Sequence, residues 1–377
     1  MPQETCDVVV LGLGGMGSAA AYHAASRGAR VIGLEQFEAV HARGSSHGDV
    51  RVIRKGYFEH PDYVPLLHRA YELWEQLEEA AGKKLLAYTG ALMSGPPDAD
   101  YMAALETCYR QNDLPHERLS GADMRARFPR LRVPEEHSGF YDPLGAYLFV
   151  EQCVRAHLDA AAAAGAALHF NERVLSWAAV GDGVEVRTEQ RTISAARLIV
   201  TAGPWAGAML RDLGVPLTVL RKVQAWFQCP EPSAYRAPEF PIYLLDRPEG
   251  IVYGFPDYGG PGLKMAEHTG GTLVHDPTQL DRALHPVDLA PLERFIGDCL
   301  PGLRPDLARY SVCMYTCTPD MHFVLDQHPA RPQVAVACGF SGHGFKFATV
   351  VGEIMADLAI NGGTAAPIDF LRLARFA

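Results

Sequence analysis

Three glycines and an acid near the N-terminus could bind a dinucleotide. Gly12, Gly14 and Gly17 fit the pattern G-x-G-x-x-G, and Glu35 follows at the end of the next apolar run. The first glycine permits a tight turn, the second lets backbone amides approach a pyrophosphate, and the third allows close packing of helix on strand. An acid at Glu35 can accept the ribose hydroxyls and disfavours a 2′-phosphate, so NAD and FAD stay open and NADP is disfavoured.

A basic segment over residues 44–54, GSSHGDVRVIR, carries Arg51 and Arg54 three residues apart. The two side chains would share one face of a helix, whereas on a strand they would point to opposite sides. In either case one guanidinium could lie over the cofactor while the other binds a carboxylate ligand as a bidentate fork. The competing interpretation is a solvent-exposed basic edge.

A lone lysine, Lys264, stands in the glycine-rich stretch 259–266. If it faces a flavin ring, its fixed charge would stabilise the superoxide that forms when reduced flavin passes an electron to oxygen. The competing interpretation is an exposed loop residue.

Two further segments, CMYTCTPDMHF from Cys313 and GFSGHGFK from residue 339, hold groups with other possible chemistries. The Cys313 thiol could be an inert core residue, or a metal ligand with Cys317, although no second ligand pair supports a metal. Ser341 and His343 could suggest a hydrolase, but Gly342 breaks the Gly-x-Ser-x-Gly turn. We therefore expect no metal site and no hydrolase.

The elements that position these residues follow from hydrophobic periodicity and glycine stops. The pattern predicts strands at 6–11, 30–34, 197–203 and 333–338, a meander over 168–170, 174–179 and 184–188, and helices at 18–27, 63–77, 147–164 and 347–360. The last strand, a glycine turn and the last helix predict an amide-lined site at Gly342 and Gly344 for an anion or a flavin edge.

This order of elements predicts an α/β fold in which a Rossmann-type nucleotide-binding domain is interleaved with a second, α+β lobe built on a mixed sheet. The nucleotide-binding domain is expected at residues 1–83, 145–214 and 320–377. The substrate domain is expected at 84–144 and 215–319, where Pro and turn signals are denser.

Composition limits the partners. The chain of 377 residues has 34 basic and 44 acidic side chains, a net charge of -10, and no run of five or more Lys or Arg residues, so nucleic acid and anionic membrane surfaces are disfavoured. The eight cysteines form no CxxC pair, which favours free thiols in a cytoplasmic protein, and no segment is typical of a signal peptide or membrane span. We expect a monomer.

Together these motifs resemble the monomeric sarcosine oxidase family, which includes N-methyltryptophan oxidase. The resemblance covers essentially the whole chain and rests on the glycine fingerprint, GSSHGDVRVIR, the ELW helix around Trp74, YGFPDYGGPGLK, CMYTCTPDMHF and GFSGHGFKF. It implies bound FAD, attached covalently by a thioether from Cys313 to the flavin 8-methyl carbon.

The resemblance also implies a role for each site residue. Arg54 and Lys346 are expected to hold the substrate carboxylate, Arg51 to lie close to the flavin, and Lys264 to activate oxygen. The residues expected to line the cavity are His47, Tyr253, His268 and Tyr315. The groups expected to be catalytic are Lys264, Arg51, His268, Tyr315 and His47. Cofactor contacts are expected from Gly12, Gly14, Gly17, Glu35, Ser45, Arg51, Cys313, Gly342, Gly344 and Lys346.

The implied reaction is oxidation of the C–N bond of a secondary amino acid such as sarcosine to an imine, with oxygen reduced to hydrogen peroxide. Val50 and Met321 depart from the Thr and the acid that are common in the family, and Cys317 and Glu267 are also unusual. Three alternatives therefore remain open: an oxidase of a cyclic or bulkier amine such as L-pipecolate, an N-methyl aromatic amino acid or a biosynthetic intermediate; a flavin dehydrogenase with another electron acceptor; and a degenerate nucleotide-binding module.

Overall fold

The computed structural model describes residues 3–376, which form eight α-helices and twenty β-strands. The helices are α1 (Gly15–Ser26), α2 (Val64–Ala81), α3 (Asp100–Gln111), α4 (Gly121–Arg127), α5 (Val150–Ala163), α6 (Ala206–Met209), α7 (Pro286–Cys299) and α8 (Ala348–Asn361). The strands are β1 (Gln3–Leu11), β2 (Val31–Leu34), β3 (Val50–Ile53), β4 (Leu86–Tyr88), β5 (Ala91–Gly95), β6 (Glu117–Ser120), β7 (Ser138–Asp142), β8 (Ala146–Phe149), β9 (Ala167–His169), β10 (Val174–Val180), β11 (Gly183–Thr188), β12 (Thr192–Val200), β13 (Thr218–Phe227), β14 (Ile242–Arg247), β15 (Gly250–Gly254), β16 (Leu263–Glu267), β17 (Thr272–Leu273), β18 (Leu307–Cys317), β19 (Val324–His328) and β20 (Arg331–Cys338).

An eight-stranded sheet carries the predicted Rossmann-type unit. Its order is β10-β11-β12-β1-β2-β9, with β20 parallel to β12 and β19 antiparallel to β20. Strand β1 is parallel to both β2 and β12, and α1 connects β1 to β2. The predicted nucleotide-binding fold is therefore confirmed.

Strand β1 is buried on both faces, as its continuous apolar run predicts. Val8 and Val10 pack into the core on the side of α1, α2, α5 and α8, whereas Val9 and Leu11 pack into the core on the other side. Small residues bring α1 and α8 together, because a Cβ at Gly352 would overlap Ala19. The helix after the glycine turn is thus held firmly against the sheet.

A nine-stranded sheet forms the second layer, in the order β17-β13-β16-β15-β14-β5-β7-β6 with β18 beside β13. It is mixed, since β14 and β5 are parallel while β13 pairs antiparallel with β16 and β18. A three-stranded sheet, β3-β8-β4, completes the fold. The division into two interleaved domains stays a prediction.

Two element predictions differ from the structure. The helix predicted from Tyr147 begins at Val150, because Ala146–Phe149 pairs with β3 and β4 instead. The meander consists of β10, β11 and β12, whereas β9 pairs with β2 in parallel. Both differences are long-range pairings that local periodicity does not encode.

No helix within residues 3–376 is both long and apolar enough to cross a bilayer. All eight cysteines are free thiols.

Candidate active site

A cavity of about 850 Å³ runs from the glycine turn after β1 to strand β18. Gly12, Gly14 and Glu35 line one end, and Cys313 and Lys346 line the other. Its size falls within the range typical of cofactor and ligand sites. The glycine fingerprint and the motifs near the C-terminus, about 300 residues apart in sequence, therefore line the same cavity.

The three fingerprint glycines have three separate tasks. Gly12 has a φ of +89°, and a Cβ there would lie 2.7 Å from the Thr201 carbonyl oxygen. A Cβ on Gly17 would overlap the Gly12 carbonyl oxygen, so Gly17 sets the helix–strand packing and does not line the cavity. A Cβ on Gly14 would have no neighbour closer than the Ser46 hydroxyl at 3.6 Å, so the space beside this glycine is open to a ligand. This cradle fits a dinucleotide pyrophosphate.

Glu35 lies in the cavity wall just after β2 and is 6% exposed. Its Oε2 accepts a hydrogen bond from the Leu13 amide at 2.9 Å, and His41 Nε2 lies 3.3 Å from Oε1. The carboxylate is therefore held at the position where a ribose would bind. Ser46, which the sequence motif did not single out, accepts a hydrogen bond from the Gly15 amide at 3.0 Å at the start of α1.

Arg51 and Cys313 lie side by side at the other end of the cavity. The Arg51 Nη2 atom lies 3.8 Å from Cys313 Sγ and 3.4 Å from the Ser45 carbonyl oxygen, while Nη1 donates to Gln224 Oε1 at 2.9 Å. The Ser45 hydroxyl donates to the Met314 carbonyl at 2.7 Å. These bonds join the basic segment to β18, so the thiol and the guanidinium face the same space.

Arg54, which the resemblance implies holds the substrate carboxylate, lines the cavity and pairs there with Glu59. Its Nη2 lies 3.1 Å from both Glu59 carboxylate oxygens, and Nη1 donates to the Gly56 carbonyl. The guanidinium lies over the rings of Tyr57 and Phe58 and is almost fully buried. Burial alone would raise the pKa of Glu59, but the nearby cations, with Arg54 foremost, lower it to about 2. Sequence reasoning missed Glu59, an acid in a loop without a motif.

Lys346 follows the glycine turn after β20 and faces the same region. Its Nζ donates to the His343 carbonyl at 2.8 Å and lies 5.1 Å from the centre of the Tyr57 ring. Burial lowers the pKa of Lys346 to about 7, although Glu59 opposes the shift. Gly342 is required here, since its φ is +82° and a Cβ would overlap the Tyr315 ring.

Tyr253, His268 and Tyr315 form a polar wall of the cavity. Burial and the neighbouring Tyr253 phenol raise the pKa of Tyr315, and the centre of its ring lies 5.9 Å from that of His268. Burial lowers the pKa of His268 to about 4, so its imidazole is neutral at neutral pH.

Lys264 and His47 lie behind the cavity wall and do not line it. Lys264 lies in β16 with an exposed fraction of 0%, and its Nζ donates to the carbonyls of Gly48 and Val50 at 2.6 Å each. The exposed-loop interpretation of Lys264 is therefore excluded. His47, expected to line the cavity, instead bonds the Gly44 carbonyl at 3.1 Å and the Ser311 hydroxyl at 3.2 Å.

The structure thus brings thirteen of the sixteen predicted site residues to one cavity. They are Gly12, Gly14, Glu35, Ser45, Arg51, Arg54, Tyr253, His268, Cys313, Tyr315, Gly342, Gly344 and Lys346.

Ser341 and His343 each have other hydrogen-bond partners. The Ser341 hydroxyl donates to the Gly339 carbonyl at 3.1 Å, and His343 bonds Tyr57 and the Met321 carbonyl. Among residues 3–376, no group of three or more His, Cys, Asp or Glu side chains is arranged to hold a metal ion.

Comparisons with known proteins agree with this geometry. Residues 7–358 match the family described as FAD dependent oxidoreductase. A monomeric sarcosine oxidase from Streptomyces avermitilis is 46% identical, over 99% of this chain and 98% of that protein. An N-methyl-L-tryptophan oxidase from Yersinia pestis is 35% identical, over 98% of this chain and 99% of that protein. The open form of NikD, an unusual amino acid oxidase essential for nikkomycin biosynthesis, superposes with a TM-score of 0.87 at 27% identity, over 98% of this chain and 97% of that one.

Proposed function

Because this chain belongs to the family of FAD dependent oxidoreductases, we propose that it oxidises the C–N bond of a secondary amino acid, with sarcosine as the first candidate substrate. The sarcosine oxidase and the N-methyl-L-tryptophan oxidase, similar along nearly their whole length, support this substrate class. The observation that carries the proposal is the single cavity in which a dinucleotide cradle meets two buried cations, Arg54 and Lys346.

The cofactor assignment follows the cavity. The glycine turn and the start of α1 would hold the FAD pyrophosphate, Glu35 the ribose, and the segment around Arg51 and Gly342 the flavin end. Bound FAD would supply the two-electron acceptor and pass the electrons on to oxygen. Cys313 is the proposed covalent anchor, since its thiol lines the cavity beside Arg51.

Arg54 and Lys346 are proposed to bind the substrate carboxylate. Without a ligand, Glu59 supplies the negative charge that balances these buried cations. A substrate carboxylate would replace Glu59 as their counter-ion. Two contacts on one carboxylate also fix which carbon of the amino acid faces the flavin.

Arg51 and Arg54 favour an amine that is neutral when bound, because the two guanidinium groups would repel an ammonium group. His268 is neutral as well, and the Tyr253–Tyr315 pair offers hydroxyl groups to orient the amine. Oxidation of the neutral amine gives an imine, which water hydrolyses after release.

Oxygen is the proposed electron acceptor and hydrogen peroxide the product. Lys264 supports this assignment, because it is fully buried and its Nζ donates to two backbone carbonyls. Burial and the Arg51 charge lower the pKa of Lys264 well below its usual value, whereas Asp49 and Glu151 favour its charged form. A cation in a site from which water is excluded stabilises the negative charge that oxygen gains. We also propose that the protein is a cytoplasmic monomer, consistent with its free thiols.

A substrate panel tests the proposal. The purified yellow enzyme is given sarcosine, L-pipecolate, N-methyl-L-tryptophan and glycine, and peroxide release and anaerobic flavin bleaching are followed separately. Peroxide from a secondary amino acid supports the oxidase assignment. Bleaching without peroxide would instead indicate a dehydrogenase with another acceptor, and no bleaching by any secondary amino acid would contradict the substrate class.

A further inference from the structure

Lys264 is held by a turn of unusual backbone conformation. Gly48 and Asp49 have φ values of +98° and +66°, and the turn directs the carbonyls of Gly48 and Val50 onto the lysine Nζ. A non-glycine residue with positive φ persists only where other contacts hold it. The position of the Lys264 ammonium therefore depends on whatever fixes this turn.

Glu151, in the first turn of α5, fixes the opposite side of the same turn. Its carboxylate accepts hydrogen bonds from the Gly48 amide at 2.6 Å and from the Asp49 amide at 3.1 Å. The start of α5 is tied there a second time, since the Val150 amide donates to the Asp49 carbonyl at 2.8 Å. Successive amides in such a turn form a concave site that an anion fills.

One peptide group connects the two charges. The carbonyl of the Gly48–Asp49 peptide accepts from Lys264, and its N–H donates to Glu151. A peptide bonded to a carboxylate on its N–H side has a more negative carbonyl oxygen, which binds a cation more strongly. The ammonium and the carboxylate thus act on each other through one polarised amide.

Glu151 differs from the other nearby carboxylate, Asp49, in its partners. Asp49 pairs with Arg309 and accepts from the Tyr258 hydroxyl at 2.7 Å. Glu151 has no ion-pair partner within the described residues, so its charge remains available to the Lys264 side of the turn. The other charged or titratable groups that face Lys264 are Arg51, Cys313 and His47. The aromatic rings of Trp226 and Phe255 lie within 5.4 Å of its Nζ.

We propose that Glu151 is a positioning residue, which holds the Lys264 ammonium in place behind Arg51 through the Gly48–Asp49 peptide. The consequence for the reaction rests on the proposed function: Glu151 governs the step with oxygen and leaves the step with the amine largely unaffected.

The test compares Glu151→Gln, Lys264→Met and the double variant as flavin-loaded enzymes, with Glu353→Gln as the control. Glu353 is a partly buried carboxylate on α8 that pairs with Arg69, away from the turn. The enzymes are reduced with dithionite, so that no substrate is needed, and mixed with oxygen in a stopped-flow instrument.

We expect Glu151→Gln to slow flavin reoxidation about tenfold, the loss typical when the support of a functional group is removed. The double variant should be no slower than Lys264→Met, and Glu353→Gln should match wild type.

A second readout does not depend on turnover. The absorbance of the oxidised flavin is titrated with pH, and the transition that Lys264→Met abolishes is assigned to Lys264. Loss of the Glu151 charge in Glu151→Gln should shift that transition to lower pH. In Glu151→Asp, which keeps the charge, the transition should lie closer to that of the wild type. If the Gln side chain distorts the turn, Glu151→Asp is compared with the wild type instead, because the Asp variant keeps the negative charge.

Three results test the positioning role of Glu151 and separate it from the proposed function. Wild-type behaviour of Glu151→Gln in both measurements overturns the proposal, as does a double variant in which the two losses multiply. If the wild-type enzyme reacts slowly with oxygen or with every amine, the proposed function fails, but the flavin titration still shows whether Glu151 acts on Lys264.

Discussion

Arg54 and Glu59 form a buried ion pair inside the cavity, with one guanidinium nitrogen 3.1 Å from both carboxylate oxygens. The arrangement gives the site its own carboxylate before any ligand arrives. Under the proposed function, binding of an amino acid exchanges the Glu59 carboxylate for that of the ligand, and the affinity measures the free-energy difference between the two contacts.

The exchange predicts that Glu59→Gln binds small carboxylates more tightly. The variant leaves Arg54 and Lys346 without their anion, so acetate or a substrate carboxylate meets less competition. We expect the dissociation constant to fall about tenfold, which corresponds to about 1.4 kcal/mol. Titration of the flavin spectrum measures it, with Glu353→Gln as the control. Equal or weaker binding by Glu59→Gln would contradict the exchange.

Lys346 predicts a pH dependence of carboxylate binding. Its pKa is lowered to about 7, so the ammonium is present below pH 7 and is lost as the pH rises through that value. Affinity should be constant below pH 7 and fall by up to about tenfold per pH unit above it. His268 and His343, with pKa values lowered to about 4 and about 3, stay neutral throughout this range. Lys346→Arg should remove the dependence, and an unchanged pH profile in that variant would assign it elsewhere.

Cys313 predicts where the flavin stays after denaturation. A thioether to the cofactor would keep the yellow colour in the protein pellet after acid precipitation, whereas Cys313→Ser should release the flavin into the supernatant. Cys317→Ser, a thiol four residues further along β18, is the matched control and should keep its colour. A colourless wild-type pellet would rule out the covalent bond.

Replacement of Gly17 and of Gly14 by alanine should cause two different defects, one in protein stability and one in flavin binding. A Cβ on Gly17 would overlap the Gly12 carbonyl, so Gly17→Ala should separate α1 from β1 and lower the melting temperature of the protein. Gly14 has open space on its ligand side, so Gly14→Ala should fold normally but lose flavin. Melting temperature and flavin content, measured on both variants, separate the two roles. Similar losses of stability in both would contradict this division.

His157 predicts acid sensitivity of the fold. Neither of its ring nitrogens has a hydrogen-bond partner within the described residues, and burial lowers its pKa from 6.5 to about 3. Between these values the unfolded chain binds a proton that the folded chain does not, so stability falls as the pH drops below 6.5. The slope is about 1.4 kcal/mol per pH unit for this histidine.

His157→Leu should reduce the loss of unfolding free energy between pH 7 and pH 5, measured by urea titration of the flavin-loaded enzyme. Exposed His116, replaced in the same way, should leave the loss unchanged. The same pH dependence in His157→Leu and wild type would show that the buried imidazole is not responsible.

The sequence predicts best what local pattern encodes. The βαβ unit, its glycines and Glu35 follow from one contiguous stretch in which turn, helix and strand signals agree. Lys346 and Gly342 are also local, since they belong to a strand–turn–helix segment.

Properties set by long-range pairing could not be predicted in this way. The direction of Lys264 depends on β16 pairing with β13 and on the turn at Gly48, which lies more than 200 residues away. Glu59 acquires its significance only because the loop after β3 folds back onto Arg54. A single acid in a loop carries no periodic signal, so its role becomes visible only in three dimensions.

The pairing of β20 with β12, and of β12 with β1, has a consequence for how the protein is made. On the ribosome, Gly12 emerges early and Lys346 late, yet both belong to the same cavity. Until β20 has emerged, the nascent chain therefore carries an incomplete sheet, and its unpaired strand edges are exposed to aggregation during that time. The complete cavity cannot form before Lys346 has left the ribosome, so a dinucleotide can meet all of these residues only from that point on.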